Sequence, residues 1–361
     1  MAGVSTAIHL GGPGALFWMW VSAIFGMSFR LISTYLSLKY QNKDPEHPNH
    51  ATPMAYLEHF FKDNWKWVPI TLAGIIMFKG FITANLIQSN SIAHSIENEL
   101  ASSHLIVGLL MASLVAFVIL GGVKKIVYYC VMLTPWMVLL FLGAGLVILA
   151  SDPLITLSSL EMVFEYAFTP YSVAGGVAGY TVLQTMQYGI SRGIFSHASG
   201  MGVAPFLHAA NDVKDLRDSS YLAALVPIVD TLIVCSITAL VVLNQGYWGE
   251  YNGAFLTTTS FEMFYGDIGK ILIIACLVLF GFTTIINWSY YAERCYKYLG
   301  GKKIIAFRWV FISVTFCGPF FPVKPIWSLA DILIAILLLV HLLALLYIVL
   351  TNRKAIIEAL K

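Results

Sequence analysis

The sequence predicts an all-α protein that crosses a membrane many times. Three observations carry this expectation: 58% of the 361 residues are hydrophobic, only 11% are charged, and the mean hydropathy is +0.79. A soluble domain with that balance would expose far more apolar surface than water tolerates, whereas helices of about 20 apolar residues suit a hydrocarbon slab about 30 Å thick. The net charge of +2 gives no signal for a nucleic-acid partner. No Cys/His metal spacing, phosphate-cradling Gly-rich loop or nucleophile–base arrangement is legible, so the chain does not read as an enzyme. Its five cysteines (Cys130, Cys235, Cys276, Cys295 and Cys317) lie in or beside apolar runs and read as buried thiols rather than a disulfide framework.

Nine stretches have the length and apolar content of spans: 14–38, 67–93, 104–121, 126–150, 173–199, 219–244, 270–292, 304–318 and 327–350. The opening "MAGVSTAIHL" is too short to cross. The segment after Pro153 and "TPMAYLEHFFKDNW" read as interfacial helices, and "YWGEYNGAFLTTTSFEMFYGD" as an irregular external loop. Lys and Arg gather in alternate connections: 39–66, 124–125, 214–217, 294–308 and 353–361. These connections hold sixteen of the 21 basic residues; the opposite side has Lys270 and Lys324. That asymmetry places the C-terminus in the cytoplasm of a multi-pass protein of the cell (inner) membrane.

The fifth span contains a contradiction. "RGIFSHASGMGVAPFLHAA" sets Gly193, Gly200, Gly202 and Pro205 among Ser196, His197 and Ser199. Backbone groups in lipid must bond within their own segment, so a broken helix is tolerated only where it faces protein or a water-filled cavity. Half-helix ends at mid-membrane offer N–H groups to a carboxylate and C=O groups to a cation, as in secondary transporters. The other reading of the glycines is close helix packing. "GVSTAIH" (Gly3–His9) echoes "GVAPFLH" (Gly202–His208), as an inverted repeat with a half-helix in each unit would.

Five blocks, "AGVSTAIHLGGPGALFWMW", "NLIQSNSIA", "GISRGIFSHASGMGVAP", "VDTLIVCSITAL" and "FGFTTIINWSYYAERC", resemble in order the signature segments of the alanine/glycine:cation symporters. These are the sodium:alanine symporters of the amino acid–polyamine–cation superfamily. The resemblance covers nearly the whole chain. It implies a single transporter domain over 1–361 with the leucine-transporter-like five-plus-five inverted repeat. Residues 1–150 would be the remainder of the first repeat (core helices 1b to 5) and 173–350 the second (core helices 6 to 10). It also implies sodium-coupled uptake of alanine or glycine by alternating access, with Na⁺ as the coupling ion. Family members carry Gly-Thr-Gly-Asn-Ile where this sequence has Met1, so the first half of core helix one would be missing. A second reading therefore stands beside the first, a truncated, non-transporting remnant or a split-gene half completed by a separate N-terminal segment. The family's Ser-Asn-Glu-Ala-Gly stands here as Ser196-His197-Ala198-Ser199-Gly200, without the acid.

Candidate site residues follow. Gln88 is an amide within a span and is costly there unless paired. It serves either an interhelical hydrogen bond or, by resemblance, the substrate; Ser89 and Asn90 are its polar neighbours. Phe195, Ser196 and Gly200 stand at the break, where backbone ends face the substrate and an aromatic ring can cover it. Thr283 and Thr284 are adjacent hydroxyls, suited either to sodium, a hard cation, or to bonds with their own i−4 carbonyls. Trp288 shapes a small pocket through its bulk. Asp230 is an acid within a span and Arg192 a base just before the break, while Asp331 and His341 share the last span and read as buried pairing groups.

Overall fold

The computed structural model describes residues 1–361 except 45, 48, 49, 51, 63, 64, 101, 102, 171–180, 209–214 and 361. All regular elements among the described residues are helical. Helix α1 (Ala2–Gly11) turns through Gly12, at φ 76°, into α2 (Ala15–Tyr40). The short α3 (Met54–Phe60) precedes α4 (Trp67–Lys79), which passes through a π-helical segment, Gly80–Leu86, into α5 (Ile87–Leu100). Next come α6 (His104–Ile119), α7 (Val123–Ser151) and α8 (Pro153–Glu165). The second half contains α9 (Val182–His197), α10 (Pro205–His208) and α11 (Leu216–Pro227), then a second π segment, Ile228–Cys235, leading into α12 (Ser236–Gln245). The chain ends with α13 (Gly253–Tyr265), α14 (Asp267–Tyr298), α15 (Ile304–Cys317) and α16 (Val323–Leu360).

Local chemistry sets several helix starts. Ser103, Asp152, Thr181 and Asp215 each accept a backbone N–H of the first turn of α6, α8, α9 and α11. At α9, Gln184 reaches back to the Thr181 N–H and completes a capping box. Each cap satisfies a donor that the helix itself cannot.

Among the described residues, six helical stretches are long and apolar enough to cross a membrane: Ala15–Tyr40, Trp67–Ile96, Val123–Ser151, Leu216–Gln245, Asp267–Tyr298 and Pro325–Glu358. Two shorter apolar helices, His104–Ile119 and Ile304–Phe320, fall where two further spans are expected. The remaining expected span, 173–199, is helical from Val182; its residues 173–180 lie outside the described residues, as do Lys214 and Lys361 of the basic connections. Large apolar side chains such as Val131, Trp136 and Leu139 on α7 and Leu110 on α6 point outward, as helices solvated by lipid require. The protein is an all-α polytopic membrane protein.

Two expectations are corrected. The stretch expected to be an irregular loop contains the 13-residue helix α13, which buries Ala254, Leu256, Thr257, Thr258 and Phe261. Three of its hydroxyls are satisfied: Thr258 and Ser260 donate to the carbonyls of Ala254 and Leu256, and Thr257 meets Ser5 of α1 at 2.6 Å. At the start of helix α3, Met54, Tyr56 and Leu57 are buried, with α2 and α4 packed against the helix and Tyr56 bonded to His341 of α16. Among the cysteines, Cys317 is exposed; all five are free thiols.

The contact between α2 and α9 sets the site's floor. Gly189 and Gly193, one turn apart, lie against Ala15, Met19 and Ser22 of α2, a small-residue seam of the kind that lets membrane helices approach closely. Arg30 of α2 fastens this corner. Its guanidinium donates to the carbonyl of His197, at the C-terminal end of α9, at 2.9 Å, and to that of Ala223 in α11 at 2.8 Å. A cation at a helix C-terminus also meets the negative end of the helix dipole.

Candidate functional site

Helix α9 stops at His197. Ala198 adopts φ 51°, a left-handed conformation, and its N–H bonds the Ile194 carbonyl. Gly200 and Gly202 follow at φ 79° and 75°, a region only glycine enters without strain. The chain resumes helical structure at Pro205, whose missing N–H suits the first helical position. Both sequence readings of the glycines hold, at different residues: Gly193 packs helices, while Gly200 and Gly202 break one. Buried partners hold the break. His197 accepts the Ser199 N–H at 3.1 Å, and His341 of α16 contacts the Gly200 carbonyl at 2.6 Å and the Tyr56 hydroxyl at 2.5 Å.

Beside the break lies a cavity of about 280 Å³. Phe195 and Ser196 come to it from α9, Ala198 from the break, Gln88 from α5, and Thr284 and Trp288 from α14. Lys79, at the end of α4, and Asp230, in the second π segment, bring charge to the same walls. Ser196 donates to Asp230 at 2.6 Å, and Thr231 donates to it at 3.1 Å. A second cavity of about 600 Å³ adjoins, lined by Asn90, His94, Asn252 and Tyr188. Arg192, Trp327, Ser91 and Ala2 of α1 face both. Arg192 pairs in a fork with Asp331 of α16, at 2.5 and 3.0 Å, and lies 4.6 Å from the Trp327 ring centre. Phe195 stacks obliquely on Trp327 at 5.1 Å. An ion pair and two rings thus stand between the cavities.

The residues expected at a substrate site do not all arrive there. Gln88, Phe195, Ser196, Thr284 and Trp288 line the smaller cavity; Gly200 and Thr283 do not. Gly200 is turned toward Leu338 and Leu342 of α16, and its role is to turn the chain. Thr283 points to Met137 of α7 and donates to Leu279 and Phe280 carbonyls. Thr284 donates to the Phe280 carbonyl at 2.7 Å, which leaves its oxygen lone pairs available to a cation. Asn90 ties α5 to the end of α15 through the carbonyls of Gly318 and Phe321. Among the cavity residues that sequence reasoning passed over, Trp327 included, is Lys79. It was visible only as a lone base within a span, with no motif around it.

Comparison with known proteins agrees with this architecture. The profile described as the sodium:alanine symporter family matches residues 1–359. The sodium/alanine symporter AgcS of Methanococcus maripaludis is 34% identical over 372 residues, an alignment covering all of this chain and 81% of that protein. A transporter of Haemophilus influenzae without an assigned substrate is 33% identical, with coverage of 100% and 79%. The probable sodium/glutamine symporter GlnT of Bacillus subtilis is 29% identical, with coverage of 95% and 71%. This polytopic helical protein, with a helix broken beside a cavity that carries charged residues and a sequence matched along almost its whole length, belongs to the sodium:alanine symporter family of cation-coupled amino-acid transporters.

Proposed function

We propose that this protein imports alanine or glycine together with sodium, by alternating access around the cavity beside the break. The observation that carries the reading is the cavity itself, small and lined by Lys79 and Asp230 of opposite charge, with the end of a broken helix on one wall. Free backbone groups at such an end recognise the charged groups of an amino acid, and the rings of Phe195 and Trp288 limit its side chain. The name of the Methanococcus maripaludis relative supports alanine. Sodium is taken as cargo at the Thr283–Thr284 step of α14, where Thr284 lines the cavity with unused lone pairs. The two repeats, 1–150 and 173–350, rock against one another, and the ion pair and rings around Arg192 close one entrance. The protein sits in the cell membrane with its C-terminus in the cytoplasm.

The test is uptake of labelled alanine and glycine into proteoliposomes under an inward sodium gradient. Uptake should collapse when the gradient is dissipated. Replacing both Thr283 and Thr284 by Ala should raise the sodium needed for half-maximal uptake about tenfold or more, the equivalent of one lost cation ligand at about 1.4 kcal/mol. Unchanged sodium dependence in that variant would remove sodium from this site. Uptake of glutamine in place of alanine would reassign the substrate.

A further inference from the structure

Three bases lie inside spans, and the protein treats them differently. Arg30 donates to two carbonyls, and Arg192 pairs with a carboxylate through its two terminal nitrogens. Lys79 has neither. Its side chain is 2% exposed, yet it makes no hydrogen bond or ion pair with any described residue. What it has are rings: Nζ sits 3.8 Å from the centre of Trp288 and 6.0 Å from that of Phe195. Lys79 is the thirteenth residue of α4, so it lies about 18 Å along the helix from Trp67, near the middle of the span. An ammonium at that depth is costly unless it finds an anion. Cation–π contacts only partly replace lost hydration.

The local backbone explains the placement. The π segment begins at Gly80, directly after Lys79, and a Cβ at Gly80 would lie 3.0 Å from Ala292 Cβ and 3.4 Å from the Trp288 carbonyl. Glycine therefore lets the bulge approach α14, which sets the lysine over Trp288 and on the cavity wall. Single-turn π insertions recur at functional sites. The second π segment carries Asp230, the cavity's carboxylate of opposite sign. Lys79 and Asp230 do not pair with each other.

We infer that Lys79 is the carboxylate-recognising residue of the cavity: its ammonium, held between Trp288 and Phe195, takes the carboxylate of the bound amino acid. Asp230, across the same space, favours ligands that also carry an ammonium and disfavours simple carboxylates. This inference rests on reading the cavity as an amino-acid site, and it assigns that site a side-chain anchor in addition to the backbone ends of the break.

The experiment compares the whole chain with Lys79→Met and Lys79→Gln, measuring displacement of labelled alanine by L-alanine and by L-alaninamide, which lacks the carboxylate, together with thermal melting. Both variants should bind alanine at least about tenfold more weakly, one charge-assisted contact's worth, and bind alaninamide within about twofold of the unsubstituted chain. Without ligand, Lys79→Met should melt no lower than the unsubstituted chain, because an uncompensated buried charge has been removed. The upward shift that alanine gives the unsubstituted chain should shrink. Parallel weakening of both ligands with a lower ligand-free melting point would make Lys79 a structural residue and overturn the inference. Unchanged alanine binding would overturn it equally. If the unsubstituted chain binds another amino acid instead of alanine or glycine, only the substrate reading fails, and the comparison is made with that amino acid and its amide. If it binds no amino acid, both fail.

Discussion

Replacing Asp331 by Asn should open the smaller cavity to the side that carries Asn252. The Arg192–Asp331 fork joins α9 to α16 at the constriction between the two cavities. Arg192 is 4% exposed and Asp331 39%, so the pair is neither a surface pair, worth about 0.5 kcal/mol, nor a fully buried one, whose breaking costs about 3–5 kcal/mol. An intermediate value of about 2 kcal/mol shifts the ratio of open to closed forms about 30-fold. Cys235 provides the reporter: it is 2% exposed and lines the inner cavity. With Cys130, Cys276, Cys295 and Cys317 replaced by Ala, a small membrane-impermeant thiol reagent added from that side should modify Cys235 roughly 10- to 30-fold faster in Asp331→Asn. The charge-swapped pair Arg192→Asp with Asp331→Arg should bring the rate back toward its starting value. A labelling rate unchanged in Asp331→Asn, with the protein still folded, would refute the idea that this ion pair holds the constriction shut.

Further outcomes are expected elsewhere. Gly189→Ala should lower the melting temperature, because the new methyl would strike the Ala15 carbonyl and lie 2.7 Å from Trp18 Cβ, overpacking worth about 1–3 kcal/mol; Gly143, with nothing within 4 Å, should accept Ala at no cost. His341→Ala should cost more than Tyr56→Phe in the same assay. It leaves the buried Tyr56 hydroxyl and the Gly200 carbonyl without their partner, at about 1–3 kcal/mol each. In intact cells, a cysteine at Asn252 should react with an impermeant reagent, and one at Lys302 only after permeabilisation; the reverse pattern would invert the assigned orientation.

The residues differ in how openly the sequence declared them. Spans announce themselves through length and hydropathy, and the break through Gly200, Gly202 and Pro205, because backbone preference is a local property. Pairings are not local. Nothing at Arg192 indicates that its partner stands 139 residues away at Asp331, or that Tyr56 and His341 meet across 285. The thirteen residues of α13 hid in a polar-looking stretch because hydropathy counts a Thr hydroxyl as wet even when it bonds its own helix. Thr283 and Thr284 show a different limit. Neighbours on an α-helix point about 100° apart, so adjacent letters do not make adjacent ligands, and only Thr284 reaches the cavity wall. Lys79 was uninformative as a letter; its meaning lies in Trp288, which belongs to another helix.

The two π segments also bear on how the gene tolerates change in length. A π turn holds one residue more than the α ladder needs, so the helix beyond Leu86 and the helix beyond Cys235 are each out of phase with the stretch before them by about 100°. Removing one codon within 80–86 or 228–235 would let the ladder close as α while the rest of the helix stayed in register with its neighbours. Removing one elsewhere in the same helices would turn every later residue to the wrong face. Single-residue gaps between this chain and its relatives should therefore collect in these two windows, and a relative that lacks a bulge will have lost the device that aims Lys79 or Asp230 at the cavity.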